Sequence, residues 1–299
     1  MTRRGVLLFT AMSVVWGIPY LFIRIAVLEV PPGVVVFGRT LIGALILLPL
    51  AVRAAGLRPV LRHWRPLIVF TLVEMAIPWY LLTTAEETAS SSFSGLVISA
   101  VPLVATLMAI GRGDRSATTT PVLAGLLLGI AGVVAIVGID LRGSSLIATL
   151  ELLGVVIAYA TGPVVLARYL SDLPPTGVMG LALGLCALVY LPVAAVQPPH
   201  AFETAAFGSI AVLGVVCTAL AFVLFSALVA EIGPVRSTVI TYVNPAVALV
   251  LGVVVLHERV TVGMAIGFVL VLAGSALATR RPSSAQPSPA PQVTPEEAR

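Results

Sequence analysis

Apolar residues gather in long runs along the chain, and polar or charged residues are confined to the short stretches between them. The runs fall at about 5–27, 34–52, 66–85, 89–110, 121–139, 148–167, 175–196, 206–228, 234–256 and 261–279. Arginine, proline or glycine bounds them, and each is long enough as a helix to cross the ~30 Å hydrocarbon layer of a bilayer. Lipid offers a backbone no hydrogen-bonding partner, so spans this apolar predict α-helices. The pattern predicts an all-α integral membrane protein of ten transmembrane helices. It divides into a first five-helix unit over 1–139, a second over 148–279 and a tail over 280–299. The tail, with Pro282, Pro287, Pro289, Pro291 and Pro295 among serines and alanines, is expected to be a disordered cytoplasmic end.

Composition agrees. Of 299 residues, 59% are hydrophobic and 10% charged, and the mean hydropathy is +1.10. Soluble domains carry roughly 25% charged residues, so no large extramembrane catalytic domain is expected. All 17 basic residues are arginine. With the N-terminus inside, the cytoplasmic segments hold thirteen of them: Arg3, Arg4, Arg53, Arg58, Arg62, Arg65, Arg112, Arg115, Arg168, Arg236, Arg280, Arg281 and Arg299. The outer segments hold Arg142 and Arg259, and Arg24 and Arg39 lie within spans. The bias predicts cytoplasmic N- and C-termini. It also accounts for the net charge of +4 without any nucleic-acid partner. Arg3-Arg4 before an apolar run resembles the start of a secretory or twin-arginine signal, but no small-residue cleavage pattern follows, and an uncleaved first helix is expected. Cys186 and Cys217 lie in apolar stretches and offer no disulfide framework or metal-ligand spacing. No metal and no cofactor are expected.

An offset of 143 residues places Pro31-Pro32 on Pro174-Pro175, Pro49 on Pro192, Ala76 on Ala219 and Pro102 on Pro245. An offset of 142 places Gly125 on Gly267 and Ala131-Gly132 on Ala273-Gly274. Five spans per half is an odd number, so the second half enters the membrane from the opposite face. That is the inverted duplication on which alternating-access transporters are built. Duplication of a membrane scaffold without transport is the alternative.

Several short motifs follow one another in order. The first span carries Trp16-Gly17 in VVWGIPYLFIR, and Pro31-Pro32 precedes Phe37-Gly38-Arg39. Span four has Ala100-Val101-Pro102, span nine has Asn244-Pro245, and LHER follows at 256–259. Each half ends in a glycine-rich span, AGVVAIVG at 131–138 and AGSALATR at 273–280. Over residues 5–279 the chain resembles the EamA-type branch of the drug/metabolite transporter superfamily. The resemblance implies two inverted five-helix repeats around a central cavity, and export of small metabolites or amino acids from a bacterial cytoplasmic membrane. One departure is Gly113-Asp114-Arg115, where the family has a Glu-Arg pair.

Glu74 lies near the middle of span three, where an ionised side chain costs at least ~2.5 kcal/mol. It is a candidate proton carrier or acceptor for a substrate ammonium, or a structural partner of Arg39. Arg39 is read as span two's ionised residue. The two lie roughly 9 Å apart along the membrane normal, so a gate pair between them is expected, with carboxylate binding or snorkelling of Arg39 as alternatives. Helix breaks are expected at Gly17 and Pro19, at Pro78, at Pro102, at Gly162 and Pro163, and at Pro245, because proline frees a carbonyl that must find a donor or a cavity. Trp16, Tyr20, Trp79, Tyr80, Tyr159, Tyr242 and Asn244 beside these breaks are candidate substrate contacts. Trp79 and Tyr80 read equally as interfacial anchors, and Asn244 as an interhelical hydrogen bond. Ser90, Ser91, Ser92 and Ser94 read as close helix packing or as an outer vestibule, and Glu86 and Glu87 as solvated surface. Gly125-x-x-x-Gly129 and Gly263-x-x-x-Gly267 read as packing motifs.

The other classes lack their motifs. His63, His200 and His257 are isolated, with no HExxH, and there is no GxSxG and no Walker A sequence. An intramembrane enzyme and a non-transporting scaffold stay as alternatives to a secondary transporter. The expected partners are a small-molecule substrate and the lipid bilayer. A monomer is expected, because ten helices can close their own cavity.

Overall fold

The computed structural model describes residues 2–279 other than 55, 141–144, 198 and 200–203, and it makes every apolar run helical. The tail after residue 279 lies outside the described residues. Eight helical segments are long and apolar enough to cross a membrane: α1 (Arg3–Val27), α2 (Pro32–Arg53), α3 (Trp64–Ala85), α4 (Ser91–Gly111), α5 (Thr120–Gly138), α6 (Leu146–Tyr169), α7 (Pro175–Val196) and α8 (Thr204–Ile232). Two shorter apolar helices follow, α9 (Ile240–Leu256) and α10 (Val262–Ala278). At 17 residues each, these are about 26 Å long. The turn Pro234–Ser237 leads into α9. No strand occurs among the described residues.

Prolines act less uniformly than expected. α1 is interrupted at Ile18, and its second part begins at Pro19. At the first helical position the missing N–H costs no hydrogen bond. α4 is interrupted at Ser99–Ala100, and Pro102 sits in the first turn that follows. The breaks expected at Pro163 and Pro245 do not occur, because α6 and α9 run unbroken through both. α3 and α8 carry π-helical turns instead, at Leu72–Ala76 and Val215–Leu220. In α3 the Ile77 N–H reaches back five residues to Leu72 O, and Pro78, next in line, has no N–H to give. The two π turns begin at the 143-residue offset. So do α2 and α7, at Pro32 and Pro175.

Packing follows small residues. α5 lies along α10, α2 along α7, α3 beside α6, α4 beside α9, and α1 beside α8. The α5–α10 contact is nearly backbone on backbone: a methyl group at Gly274 would sit 2.6 Å from Gly125 O, and one at Gly132 would sit 2.7 Å from Gly267 O. Gly125 and Gly267 thus do the packing expected of them. Two larger apolar clusters fill the interior. One centres on Ile23, Phe93 and Leu96, the other on Leu67, Phe70 and Leu183. Leucine and valine side chains such as Leu45, Leu127 and Val134 face outward, as a lipid-facing surface requires.

Candidate substrate site

Arg39 of α2 is 4% exposed. Its guanidinium lies over the ring of Trp79 in α3, 3.8 Å from the centroid. One nitrogen, Nη2, reaches Thr218 Oγ1 at 3.4 Å, and Nε has no hydrogen-bond partner. The π turn of α8 presents that threonine, whose hydroxyl donates to Leu213 O at 2.8 Å. Cys186 and Cys217 lie close enough to act on the guanidinium. A desolvated cation–π contact contributes ~2 kcal/mol, whereas an arginine at the centre of a span costs about 2.5–3.5 kcal/mol on insertion scales. The stack and one long hydrogen bond therefore leave the guanidinium short of a full set of partners. That suits recognition of an anionic group.

Glu74 occupies the π turn of α3, and its carboxylate lies against Gly162 of α6. Its Oε2 is enclosed and has no hydrogen-bond partner. The expected Arg39–Glu74 pair is not formed. Arg4 Nε and Glu231 form an ion pair at the periphery, at 3.9 Å. The reason lies in direction around the helix. The π turn presents Glu74 to α6, whereas Arg39 faces Trp79 and α8. Tyr159 of α6 stands near Glu74, Arg39 and Trp79 together. An apolar groove of about 500 Å³ runs along α4 and α6 from Tyr159 to Arg168, lined by Val101, Ala105, Pro163 and Val164.

Of the residues singled out in the sequence, the structure brings together Arg39, Glu74, Trp79, Tyr159 and Gly162. Trp79 is interior, not an interfacial anchor. Tyr80 stacks on Tyr190 at 5.6 Å, and Tyr190 donates to Ala76 O at 2.8 Å, which fixes the end of the π turn. The others lie outside that group, with Tyr20 within electrostatic reach of its Tyr159. Trp16 packs on Phe225 at 4.8 Å. Gly17 faces Val247 and the Asn244 carbonyl, with no room for a side chain. Tyr20 is buried near Gly95. Tyr242 reaches Thr279 Oγ1 at 2.9 Å. Asn244, with its amide nitrogen turned to them, bonds Ile240 O at 2.9 Å and Ser13 O at 3.1 Å, the interhelical hydrogen bond weighed from sequence. Thr218, Cys186 and Cys217 were missed as neighbours of Arg39. Only the repeat register, which sets Cys217 opposite Glu74, hinted at them.

At the end of the bundle where α3 turns into α4, Glu87 is exposed as expected, but Glu86 is 0% exposed. Ser91, Ser92 and Ser94 are fully buried too, which favours packing over a wet vestibule. Arg24 Nη1 donates to the Glu86 and Glu87 carbonyls, the latter at 2.9 Å. Glu258, from the LHER run, accepts from the Ser91 and Ser92 N–H groups at 2.8 and 2.9 Å. It thereby caps α4 with a carboxylate, as a helix N-terminus favours.

Comparison with known proteins gives the setting. The model of the EamA-like transporter family matches residues 3–138 and again 146–280. An uncharacterized inner membrane transporter, YedA, of Escherichia coli (strain K12) is 26% identical over 249 residues, which is 81% of this chain and 79% of YedA. The YedA protein of Escherichia coli O157:H7 gives the same values. A solved crystal structure superposes with a TM-score of 0.63 over 92% of this chain and 96% of its own, at 22% identity, a likeness of fold.

Proposed function

Because the chain belongs to the EamA-like transporter family, we propose that it is a secondary transporter of the bacterial inner membrane, exporting small metabolites or amino acids by alternating access. Ten spans form two inverted five-helix repeats, with both termini cytoplasmic and the monomer as the working unit. The observation that carries the reading is the convergence of Arg39, Trp79, Tyr159 and Glu74 inside the membrane-spanning bundle. An incompletely partnered guanidinium and an incompletely partnered carboxylate stand near one tyrosine, an arrangement suited to a zwitterionic or amphipathic solute.

The matching offsets of the π turns and proline starts support duplication. The relative YedA, an inner membrane transporter by name, supports the location. Rocking of the halves at the breaks before Pro19 and Pro102 and at the two π turns, with Pro163 and Pro245 as softer points, would expose the site alternately. Tyr20, Tyr80, Trp16, Tyr242 and Asn244 serve this cycle as wall and interhelical contacts, with Gly17, Pro78 and Gly162 allowing close approach. The test is a flux screen in reconstituted vesicles over amino acids, purine metabolites and cationic drugs, with and without a pH gradient. Saturable flux of one class, lost in Arg39→Leu, is expected. Absence of saturable flux for every class would return the protein to the scaffold reading.

A further inference from the structure

Seven buried side-chain polar atoms of the described residues have no hydrogen-bond partner. Two of them, on Arg39 and Glu74, belong to the candidate substrate site. Four others are Glu86 Oε1 and Oε2, Ser91 Oγ and Ser92 Oγ, and all sit where the α3–α4 turn meets the α9–α10 loop. Glu258 holds that junction closed by capping α4 through two backbone N–H groups. Gly252 of α9 makes the approach possible, since a methyl group there would collide with Glu258 Oε2 and with the Ser91 and Ser92 hydroxyls.

Charge counting sets the state of Glu86. Arg24 contributes one positive charge and directs Nη1 to the Glu86 and Glu87 carbonyls. Glu258 contributes one negative charge and accepts from the Ser91 and Ser92 N–H groups. An ionised Glu86 would add a second negative charge, fully buried and with no donor. Ser94, the hydroxyl facing it, donates to Ser90 O at 3.1 Å. Tyr20 of α1 and Arg39 of α2 are the other groups within electrostatic reach. His257 and Arg259, beside Glu258, are exposed.

We propose that Glu86, facing Glu258 across the α4 N-terminus, is a proton-binding site beside the substrate cluster and within electrostatic reach of its Arg39, and that its proton holds this end of the bundle shut. Burial first, and the Glu258 carboxylate second, push the Glu86 carboxyl well above the usual carboxylate range, against the smaller opposing effects of Arg24, Ser94 and Arg39. The closed junction therefore binds one proton more than an open, hydrated one. Closure is fully favoured below the ordinary carboxylate pKa and weakens as pH rises, until Glu86 ionises in place.

The test needs no substrate and holds whichever face of the membrane this end occupies. Ser91→Cys places a near-isosteric thiol inside the junction, and Thr88→Cys supplies an exposed reference. Both variants, in lipid nanodiscs with both faces open to reagent, are alkylated with a polar maleimide from about pH 5 to about pH 9. Modification is read at each peptide by mass spectrometry. The ratio of the two rates should rise with pH by up to about tenfold per unit, the slope of one linked proton, and should stay flat in Glu86→Gln. Glu86→Met, apolar and of similar length, serves if Glu86→Gln does not assemble. A ratio independent of pH in Ser91→Cys alone, or an unchanged slope without the Glu86 carboxyl, overturns the assignment. Loss of transport in the vesicle screen would leave this result standing, so the two readings fail separately.

Discussion

Gly162→Ala separates the role of Glu74 from the stability of the bundle. A methyl group at residue 162 would lie 2.9 Å from Glu74 Cδ and 3.1 Å from its Cβ, and would overlap Oε2 outright. The carboxylate is the movable part, so it must rotate out of its well at a cost of about 0.5–1.5 kcal/mol. Against this, alanine replaces glycine inside a helix, a gain of up to about 1 kcal/mol. Stability should change little, with a melting temperature in detergent close to the parent's. Transport should not be spared. If the carboxylate must stand against α6 for substrate or proton to bind, 0.5–1.5 kcal/mol is about a two- to tenfold loss of exchange flux. The assay is counterflow in proteoliposomes with the solute found by the screen. Glu74→Asp shortens the side chain by one methylene and should restore part of the flux in the Gly162→Ala background. Parent-like flux in Gly162→Ala, or no recovery with aspartate, would refute a role for the Glu74 position.

Further outcomes follow from the same geometry. Trp79→Leu removes the ring face beneath Arg39 and should lower flux by up to about thirtyfold, the equivalent of ~2 kcal/mol, while Trp79→Phe loses less; equal losses would mean the ring face does not matter. Arg39→Gln and Glu74→Gln should combine additively in flux to within about 0.5 kcal/mol, since the two groups form no ion pair, and recovery in the double variant would show a pair in another state of the cycle. Glu74→Gln should abolish pH-driven accumulation; unchanged pH dependence would remove Glu74 as proton carrier. Gly274→Ala drives a methyl group onto the backbone of Gly125 and Gly129 and should destabilise the α5–α10 contact by about 1–3 kcal/mol. Gly138→Ala, with open space around it, is the control in the same thermal melt.

Spans were legible because lipid imposes one rule on every residue of a crossing segment, and the runs obey it. The repeat was legible through prolines, which cannot be exchanged freely in helices. The π turns were not, because a shift from four- to five-residue hydrogen bonding leaves no residue pattern of its own. That one feature upset the expected Arg39–Glu74 pair. Axial spacing put the two within reach, but the direction of each side chain around its helix set Glu74 on Gly162 and Arg39 on Trp79. Pro163 and Pro245 read like the breaking prolines, yet α6 and α9 continue through them, as proline-containing membrane helices can. Glu86 looked like solvated surface because its cover, the α9–α10 loop with Glu258, lies some 170 residues away in the chain.

Alternating access is the central claim, and the chain carries its own probes for it. Cys186 and Cys217 are buried beside Arg39, so in a Cys186→Ser background Cys217 alone reports the substrate cluster. A membrane-impermeant maleimide applied to intact cells, and separately to inverted vesicles, should alkylate Cys217 from both sides, and bound solute should slow both reactions. Labelling from one side only, at all times and unaffected by any transported solute, would contradict a site that opens in turn to each face of the membrane.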